Sequence, residues 1–309
     1  MDDTLLNDRF DAISGKLDVA LTRQLENEAK MHDLLYRIAA IQRRPWPSPP
    51  FPAKGRRLGK RAAKHDPRTL QLGKYLTSDI PAPPASVNNS YGITSWGMML
   101  NDQLGDCTIA GCGHAVQAWT AANGNELTLP DSVILSYYET WDGYVLGDPS
   151  TDQGGVEVNV LNNWRKYGFG YRKGHVGSDI LYAYADPSPG NVTHIKQAIS
   201  LFGGVYIGIE LPITAQSQTI WDVVGNPQTD PNSAPGSWGG HCVWVLGYDA
   251  NYLTCVTWGG LLKMTWAFWA AYCDESHALL SHDFVKLIGK SPSGFDLDTL
   301  KQDLQLVIA

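Results

Sequence analysis

A polar loop that leads directly into an apolar helix constrains this chain of 309 residues more than any other stretch. Asp106 can cap a helix that begins at Cys107, and an apolar stripe on one face continues until Asn123 and Gly124 supply a stop signal. We therefore expect a helix over residues 107 to 122. The unpaired N–H groups and the positive dipole end of a helix stabilise a thiolate in its first turn, so Cys107 is a candidate nucleophile.

A thiolate nucleophile requires a base, and a histidine lies far downstream at the start of a second strong pattern. His241 opens a run of valine, tryptophan and leucine that is typical of a buried strand. Turn residues at 249 to 251 then lead to another predicted strand at residues 252 to 258. His241 is therefore the candidate general base, whereas His114, inside the predicted helix, is expected to be structural.

Two amide side chains precede the thiol in the polar loop. Asn101 lies six residues before Cys107, and Gln103 lies four residues before it. An amide at either distance could donate a hydrogen bond to the oxyanion of a tetrahedral intermediate. Both residues are therefore candidate oxyanion donors.

These segments resemble the papain-like cysteine peptidases. In that family Gln-x5-Cys opens the central helix, a Gly/Asp-His-Ala-Val strand carries the base, and the cysteine precedes the histidine along the chain. Further segments that resemble the family are Asp152-Gln153-Gly154-Gly155, residues 193 to 199, residues 203 to 209 and Thr257-Trp258-Gly259. The resemblance covers residues 90 to 285, and Asn-Asp-Gln-Leu-Gly-Asp-Cys-Thr is similar to stretches in papain-like proteins of bacteria and their phages.

The resemblance implies an α+β papain-like fold, in which a central N-terminal helix carries the cysteine and an antiparallel β-sheet carries the histidine. It also implies a cysteine hydrolase, a peptidase or an amidase, that uses a Cys107/His241 dyad and an amide oxyanion donor. The substrate is expected to be a peptide or another amide, and no cofactor or metal is expected. A zinc site built from Cys107, Cys112, His114 and Cys242 is disfavoured because the spacings typical of zinc ligands are missing.

The sequence departs from the family at three positions. The family's glutamine falls by spacing on Asn101, which we favour as the oxyanion donor, although Gln103 has the matching side chain. Asp106 places a negative charge beside the thiol, which opposes its ionisation. The family's asparagine falls on Val256 or Thr257, and only Thr257 can hydrogen-bond an imidazole. These departures motivate an alternative, a papain-like module with weak or no catalysis that serves in structure or assembly.

Four regions are expected along the chain. Residues 1 to 44 carry an apolar helical stripe, at residues 4 to 42, that packs on the protein itself, self-associates as a short coiled coil or binds another protein. Residues 45 to 88 are proline-rich and then basic, which favours a solvated linker over a contact with nucleic acid or an acidic partner. The papain-like domain is expected at residues 89 to 290, and a C-terminal helix at residues 291 to 309.

Composition and charge disfavour several classes of protein. A net charge of −7 argues against general nucleic-acid binding, and no apolar run reaches membrane-spanning length. The five cysteines form no spaced framework, which favours a reducing compartment or a reactive free thiol. The N-terminus lacks the basic and apolar regions of a signal peptide, so we expect a cytoplasmic or virion-associated protein.

Overall fold

A computed structural model describes residues 55 to 281, apart from residues 65, 67, 68, 77, 79, 81, 123, 173, 174 and 189. The predicted helical arm at residues 1 to 44 and the predicted C-terminal helix at residues 291 to 309 lie outside the described residues. The described part holds most of the predicted papain-like domain and much of the predicted linker.

Five α-helices and eleven β-strands make up the described part, which confirms the α+β class. The helices are α1 Cys107–Ala122, α2 Asp131–Tyr137, α3 Glu157–Tyr167, α4 Val192–Phe202 and α5 Trp266–Tyr272. The strands are β1 Leu70–Gln71, β2 Val87–Asn88, β3 Phe169–Arg172, β4 His175–Asp179, β5 Leu181–Asp186, β6 Val205–Leu211, β7 Ile220–Trp221, β8 Gly239–Tyr248, β9 Tyr252–Thr257, β10 Gly260–Thr265 and β11 Cys273–Ser281. Among the helices of this part, none combines the length and apolar character that a membrane crossing requires.

Nine of the strands form one sheet, which is largely antiparallel. Its strand order is β1-β5-β11-β6-β8-β9-β10-β7, and β2 pairs with β8. Within the described sheet, only the β1–β5 and β10–β7 pairs are parallel. The long strand β8, which begins at Gly239 and carries His241, pairs with β6 on one side and β9 on the other. His241 therefore lies inside the sheet and not at its edge.

Part of the predicted linker belongs to the fold. Strands β1 and β2 both precede residue 89, and each pairs with a longer strand of the sheet. Leu72 and Tyr75, which follow β1, are fully buried in the hydrophobic core. Short apolar segments before residue 89 therefore contribute to the sheet and to the core.

Helix α1 is buried on all sides. Every residue from Cys107 to Thr120 is buried, and the helix has the start and the end that the sequence predicts. The polar side chain of His114 is satisfied inside the protein, because its Nε2 lies 2.8 Å from the Gly97 carbonyl oxygen. Burial lowers the pKa of His114 to about 4, so this residue is a neutral part of the core, in line with its expected structural role.

Contacts between α1 and the sheet fix the position of the helix. The rings of Trp119 and Trp244 lie edge to face, with centroids 5.5 Å apart. Gly111 lies where the helix comes closest to the sheet, and a Cβ atom there would lie 2.8 Å from the Tyr206 ring and 3.2 Å from Cys242 Sγ. The missing side chain at residue 111 therefore allows α1 to lie directly on β6 and β8.

We expect Gly111→Val to destabilise the protein by ~1–3 kcal/mol, because the added side chain overlaps groups on both strands and packed interiors yield little. Chemical denaturation followed by tryptophan fluorescence measures the free energy of unfolding. The control is Ala122→Val, at an exposed position at the end of the same helix, which should change this free energy by no more than about 0.5 kcal/mol. Equal effects of the two substitutions would contradict the close contact at Gly111.

Candidate active site

The thiol of Cys107 lies in the first turn of α1, beside the strand that carries His241. The backbone of Cys242, the residue directly after His241, and the backbone of Gly59 lie near enough to its Sγ atom to lower the pKa of the thiol. The start of the central helix and the histidine strand are therefore neighbours in the fold, although 134 positions of the chain, 241 less 107, separate the two residues.

A tight loop delivers the cysteine to the helix. Met99 and Leu100 have φ angles of 54° and 64°, a region that residues other than glycine seldom adopt. The amide nitrogen of Asn101 donates to the Leu104 carbonyl oxygen and to Asp106 Oδ1, both at 3.2 Å. The Asn101 amide is therefore engaged in holding the loop, and it is buried there.

Gln103 is the second amide side chain of this loop. It is half-buried, and it makes no side-chain hydrogen bond to another residue of the described part. The structure thus distinguishes the two predicted oxyanion donors. The donors of Asn101 stabilise the loop, whereas no described residue engages those of Gln103.

Asp106 precedes the thiol and is fully buried. Burial raises the pKa of its carboxyl group well above the ordinary range, while the hydrogen bond from Asn101 lowers it. Its Oδ2 atom has no hydrogen-bond partner in the described part of the chain. The neutral form is therefore favoured, and the negative charge that the sequence predicts beside the thiol is suppressed.

Asp152 ties the loop to the Gly-Gly segment that precedes α3. Its Oδ1 atom accepts hydrogen bonds from the Gly105 backbone N–H at 3.0 Å and from the Tyr138 hydroxyl group at 2.6 Å. The Tyr138 oxygen in turn accepts a hydrogen bond from the Gly154 N–H at 2.9 Å. This connected set of hydrogen bonds fixes the backbone just before Cys107.

His241 is held by a hydroxyl group and by aromatic rings. Its Nε2 atom lies 2.7 Å from Thr257 Oγ1, the partner that the sequence predicts. The Trp258 ring stacks on the imidazole, with centroids 4.4 Å apart and 10° between the planes, and Trp221 lies edge-on at 6.5 Å. The Nδ1 atom has no hydrogen-bond partner among the described residues. Burial lowers the pKa of His241 to about 3, so the ring is neutral.

Trp258 occupies a strained backbone position in the turn between β9 and β10. Its φ angle is 46° and that of Gly259 is 73°, which places two consecutive residues in the left-handed region, as tight hairpin turns require. The indole Nε1 donates to the Arg57 carbonyl oxygen at 3.1 Å. The resemblance of Thr257-Trp258-Gly259 to a family motif singled out Trp258, but it could not predict these contacts, because His241 and Arg57 are distant from Trp258 in the chain.

Residues 55 to 61, which we call the covering segment, cross the site between α1 and the sheet. Their backbone is hydrogen-bonded to both walls. The bonds run from Gly55 N–H to the Asp102 oxygen (3.0 Å), Arg57 N–H to the Asn101 oxygen (3.1 Å), Lys60 N–H to the Gly240 oxygen (3.0 Å), Arg61 N–H to the Gly155 oxygen (2.8 Å) and Gly155 N–H to the Gly59 oxygen (2.8 Å). The sequence predicts a solvated linker here, and for residues 55 to 61 the structure corrects that prediction.

Glycines on both sides allow the covering segment to lie this close. A Cβ atom on Gly59 would lie 1.7 Å from the Gly105 carbonyl oxygen, and one on Gly240 would lie 2.2 Å from the Lys60 oxygen. A Cβ atom on Gly154 would lie 1.9 Å from the Gly59 oxygen. No side chain fits at these positions, so the backbone of the covering segment packs directly against the backbone of the site.

Both candidate catalytic side chains are removed from solvent in the presence of the covering segment. Cys107 is 1% exposed and His241 is 0% exposed. Burial raises the pKa of Cys107 to about 12, although hydrogen bonds with the backbone of Cys242 and Gly59 lower it. Burial thus outweighs the effect of the helix start, and the thiol is protonated at neutral pH in this arrangement.

One group of side chains in the described part is close enough to hold a metal ion. Ligand atoms of Glu157, Glu275 and His277 lie within 4.8 Å of one another. However, Lys60 Nζ lies 3.3 Å from Glu275 Oε1, so an ammonium group already occupies this region. The residues of the disfavoured zinc site form no such group within the same part of the chain.

Comparison with known proteins relates this architecture to solved structures. No protein-family model and no curated protein matches the sequence. The chain is similar to xylellain, a cysteine protease from Xylella fastidiosa, with a TM-score of 0.54 and 14% identity, covering 74% of this chain and 97% of that one. It is also similar to digestive procathepsin L 3 of the Tenebrio molitor larval midgut (TM-score 0.50, 16% identity, 84% and 91% covered) and to procathepsin B S9 of Trypanosoma congolense (0.51, 11%, 74% and 87%). The chain therefore has the papain-like fold that the sequence predicts.

We expect Gly59→Val to displace the covering segment, because its side chain overlaps the Gly105 backbone. Iodoacetamide should then modify Cys107 at pH 7 at least ~10²-fold faster, since a return of the thiol pKa to ~8.5 raises the thiolate fraction by up to ~10³-fold. Mass spectrometry of the labelled peptide measures the rate. In the unsubstituted protein the rate should instead keep rising between pH 7 and pH 10, about tenfold per pH unit.

Ala62→Val is the control for this experiment, because Ala62 is exposed just beyond the covering segment. It should leave the labelling rate unchanged. Fast labelling of Cys107 in the unsubstituted protein at pH 7 would contradict the burial of the thiol.

Proposed function

We propose that this protein is a cysteine hydrolase, a peptidase or an amidase, in which Cys107 is the nucleophile and His241 is the general base. The observation that carries the proposal is the close approach of α1 to β8, since a Cβ atom on Gly111 would lie 3.2 Å from Cys242 Sγ and the Cys242 backbone lowers the pKa of the Cys107 thiol. It supports a pairing of this helix-start thiol with His241, the residue before Cys242. The papain-like fold supports the same pair of roles, since cysteine proteases are among the solved structures that share it.

The hydrogen bonding of His241 suits a base that acts through Nδ1. Nε2 is bonded to Thr257, and Nδ1 has no hydrogen-bond partner among the described residues. A neutral ring that carries its proton on Nε2 donates to Thr257 Oγ1 and leaves Nδ1 to accept the thiol proton. The stacked Trp258 ring restricts the plane of the imidazole, which compensates in part for the missing asparagine or carboxylate.

The proposed reaction has two stages. The proton of the Cys107 thiol passes to His241, and the thiolate adds to the substrate carbonyl carbon to form an oxyanion. His241 then protonates the leaving amine as the C–N bond breaks, which leaves an acyl-thioester on Cys107. In the second stage water loses a proton to His241 and attacks the thioester, and the departing thiolate recovers a proton as the acid is released.

We propose Gln103, together with the Cys107 backbone N–H, as the oxyanion donor. Asn101, which the family spacing favours, already donates to Leu104 and Asp106. Its recruitment to an oxyanion would break the hydrogen bonds that hold the loop before the helix. Gln103 lies in the same loop and can turn to the substrate without that loss.

The alternative function is a papain-like module with weak or no catalysis that serves in structure or assembly. The observation that favours it is the burial of both Cys107 and His241 beneath the covering segment. The two functions differ once the segment is displaced. A hydrolase then cleaves substrate, whereas a structural module exposes a thiol that reacts with alkylating agents but produces no turnover.

The proposed setting is a reducing compartment, either the cytoplasm or a virion, with a peptide or another amide as substrate. All five cysteines are free, which supports this setting. Residues 4 to 42 remain the proposed site of self-association or of binding to another protein.

If His241 is the base and Thr257 only orients it, replacing the histidine should lower kcat far more than replacing the threonine. Both substitutions are made in the Gly59→Val protein, and kcat is measured as cleavage of fluorescein-labelled casein. His241→Ala should lower kcat by ~10²–10⁴-fold, because the base is removed. Thr257→Val, which keeps the shape but not the hydroxyl group, should lower it only about tenfold, because orientation alone is lost. His114→Gln is the control and should retain turnover; a large loss there, with His241→Ala still active, would move the base to His114.

If Gln103 is the oxyanion donor, its replacement should lower kcat, whereas replacement of Asn101 should lower the free energy of unfolding. In the same background Gln103→Ala should lower kcat by ~10²–10³-fold, because one oxyanion donor is lost, with little change in the free energy of unfolding. Asn101→Ala should lower the free energy of unfolding by ~1–3 kcal/mol, because the buried Asp106 carboxyl group loses its partner. If Asn101→Ala instead reduced kcat strongly without loss of stability, the family spacing would be the correct guide.

A further inference from the structure

Lys60 of the covering segment ends among carboxylates. Its side chain is 0% exposed, and Nζ lies 2.6 Å from Asp274 Oδ2, 3.1 Å from Glu210 Oε1 and 3.3 Å from Glu275 Oε1. We call Glu157, Glu210, Asp274 and Glu275 the acidic pocket. An isolated buried lysine is unfavourable, so the pocket is what stabilises this side chain in its charged form.

Glu157 is the fully buried member of the acidic pocket. Neither of its carboxylate oxygens has a hydrogen-bond partner in the described part of the chain. Burial lowers the pKa of Lys60, but the attraction of Glu157 and of the other carboxylates outweighs it, so the pKa is raised. Burial and the neighbouring Glu275 raise the pKa of Glu157 well above the ordinary range, while His277 and Lys60 lower it. Lys60 is thus one of the two cations that favour the ionised form of this buried group.

Gly208 on β6 makes room for the stem of the cationic side chain. A Cβ atom there would lie 2.1 Å from Lys60 Cε and 2.9 Å from Glu157 Oε1. Any larger residue would therefore occupy the space between the strand and Glu157. The pocket is shaped to admit an unbranched chain that ends in a positive charge.

His277 does not neutralise the acidic pocket when Lys60 is absent. Its Nε2 atom lies 3.7 Å from Glu157 Oε2 and 3.5 Å from Glu275 Oε2, but its Nδ1 is bonded to Asp186. The four carboxylates of the pocket and Asp186 thus face two cations, Lys60 and His277. Withdrawal of Lys60 leaves five carboxyl groups facing one imidazole. Another cation can then enter, or Glu157, whose pKa burial already raises, takes up a proton.

The backbone of the covering segment relates the acidic pocket to the thiol. A Cβ atom on Gly59 would lie 1.7 Å from the oxygen of Gly105, two residues before Cys107, and the Gly59 backbone lowers the pKa of the Cys107 thiol. Lys60 is the next residue. Lys60 also pairs with Gly155 on one wall and donates its N–H to Gly240 on the other. A peptide that replaces the covering segment can bond to the same backbone groups of Gly155 and Gly240. Its residue at the position of Gly59 then faces the thiol, and its next residue, at the position of Lys60, faces the acidic pocket.

We infer that the acidic pocket is a substrate subsite for a lysine or arginine side chain, one residue away from the amide bond that Cys107 attacks. This inference rests on the proposed hydrolase function. Lys60 fills the subsite while the covering segment fills the site, so the lysine and a substrate cation exclude one another. The substrate class is therefore a cationic peptide or a related amide that carries a terminal amino group.

Binding is tested with the full-length Gly59→Val protein and two N-acetylated peptide amides, identical except that one has lysine where the other has norleucine. Protection of Cys107 against iodoacetamide measures affinity without turnover. The lysine peptide should bind ~10–100-fold more tightly, because only its ammonium group pairs with the buried carboxylates. Equal protection by both peptides, or protection by neither, overturns the subsite.

A matched pair of substitutions assigns the preference to the pocket. Glu275→Gln, added to Gly59→Val, should remove most of the preference for lysine. Asp249→Asn should keep it, because Asp249 lies in an exposed turn and pairs only loosely with Lys263. An equal loss in both variants would mean that general surface charge, and not the pocket, attracts the lysine peptide.

The same two peptide sequences, prepared as p-nitroanilides, separate this inference from the proposed function. Cleavage with a preference for lysine supports both. Protection with a preference for lysine but without cleavage refutes the hydrolase and leaves a cation-binding site. Cleavage of both peptides at equal kcat/KM refutes the subsite alone.

Lys60→Ala provides a second test should Gly59→Val fail to fold. The substitution should lower Tm, and millimolar n-butylammonium should restore part of the loss while n-butanol does not. Lys263→Ala, at an exposed ion pair, is the control and should show no such recovery. Recovery with calcium ions but not with butylammonium would indicate a metal site, and no recovery would indicate a structural ion pair only; either result overturns the inference.

Discussion

The contact between helix α1 and strand β8 is the constraint on which the rest of the structure depends. The helix is buried along almost its whole length, so it can lie in only one place relative to the sheet, and Gly111 sets how close it comes. This close approach brings the first half of the helix near Cys242, whose backbone lowers the pKa of the Cys107 thiol. A glycine in the middle of a helix costs stability, and here close packing against the sheet offsets that cost.

With the covering segment in place, the Cys107 thiol and the His241 imidazole are uncharged and inaccessible to solvent. Burial penalises the charged forms of both side chains, since it raises the pKa of Cys107 and lowers that of His241. Burial therefore favours the neutral thiol and the neutral imidazole in this arrangement. Solvent access reverses both shifts at once, so a single movement of the backbone changes the protonation chemistry of the whole site.

The basic residues of the covering segment are distributed over separate walls of the site. Arg56 lies over the Trp258 ring at 5.0 Å, Arg57 lies 3.5 Å from Asp152, and Lys60 enters the acidic pocket. Each positive charge thus lies against an aromatic ring or a carboxylate near the thiol or the imidazole. The contrast between a basic segment and an acidic protein is thus explained by contacts within the chain.

Local pattern in the sequence determined the start and end of α1 and the strand that carries His241, because helix signals and strand composition are properties of neighbouring residues. The Thr257 partner of the imidazole followed from the family resemblance and from the hydrogen-bonding capacity of threonine. The engagement of Asn101 with Asp106 depended on the path of a strained loop, which spacing does not encode. The position of residues 55 to 61 depended on backbone hydrogen bonds to distant walls. Composition made Lys60 look like a solvated charge, and only the tertiary structure decided otherwise, because carboxylates from three separate parts of the chain converge around it.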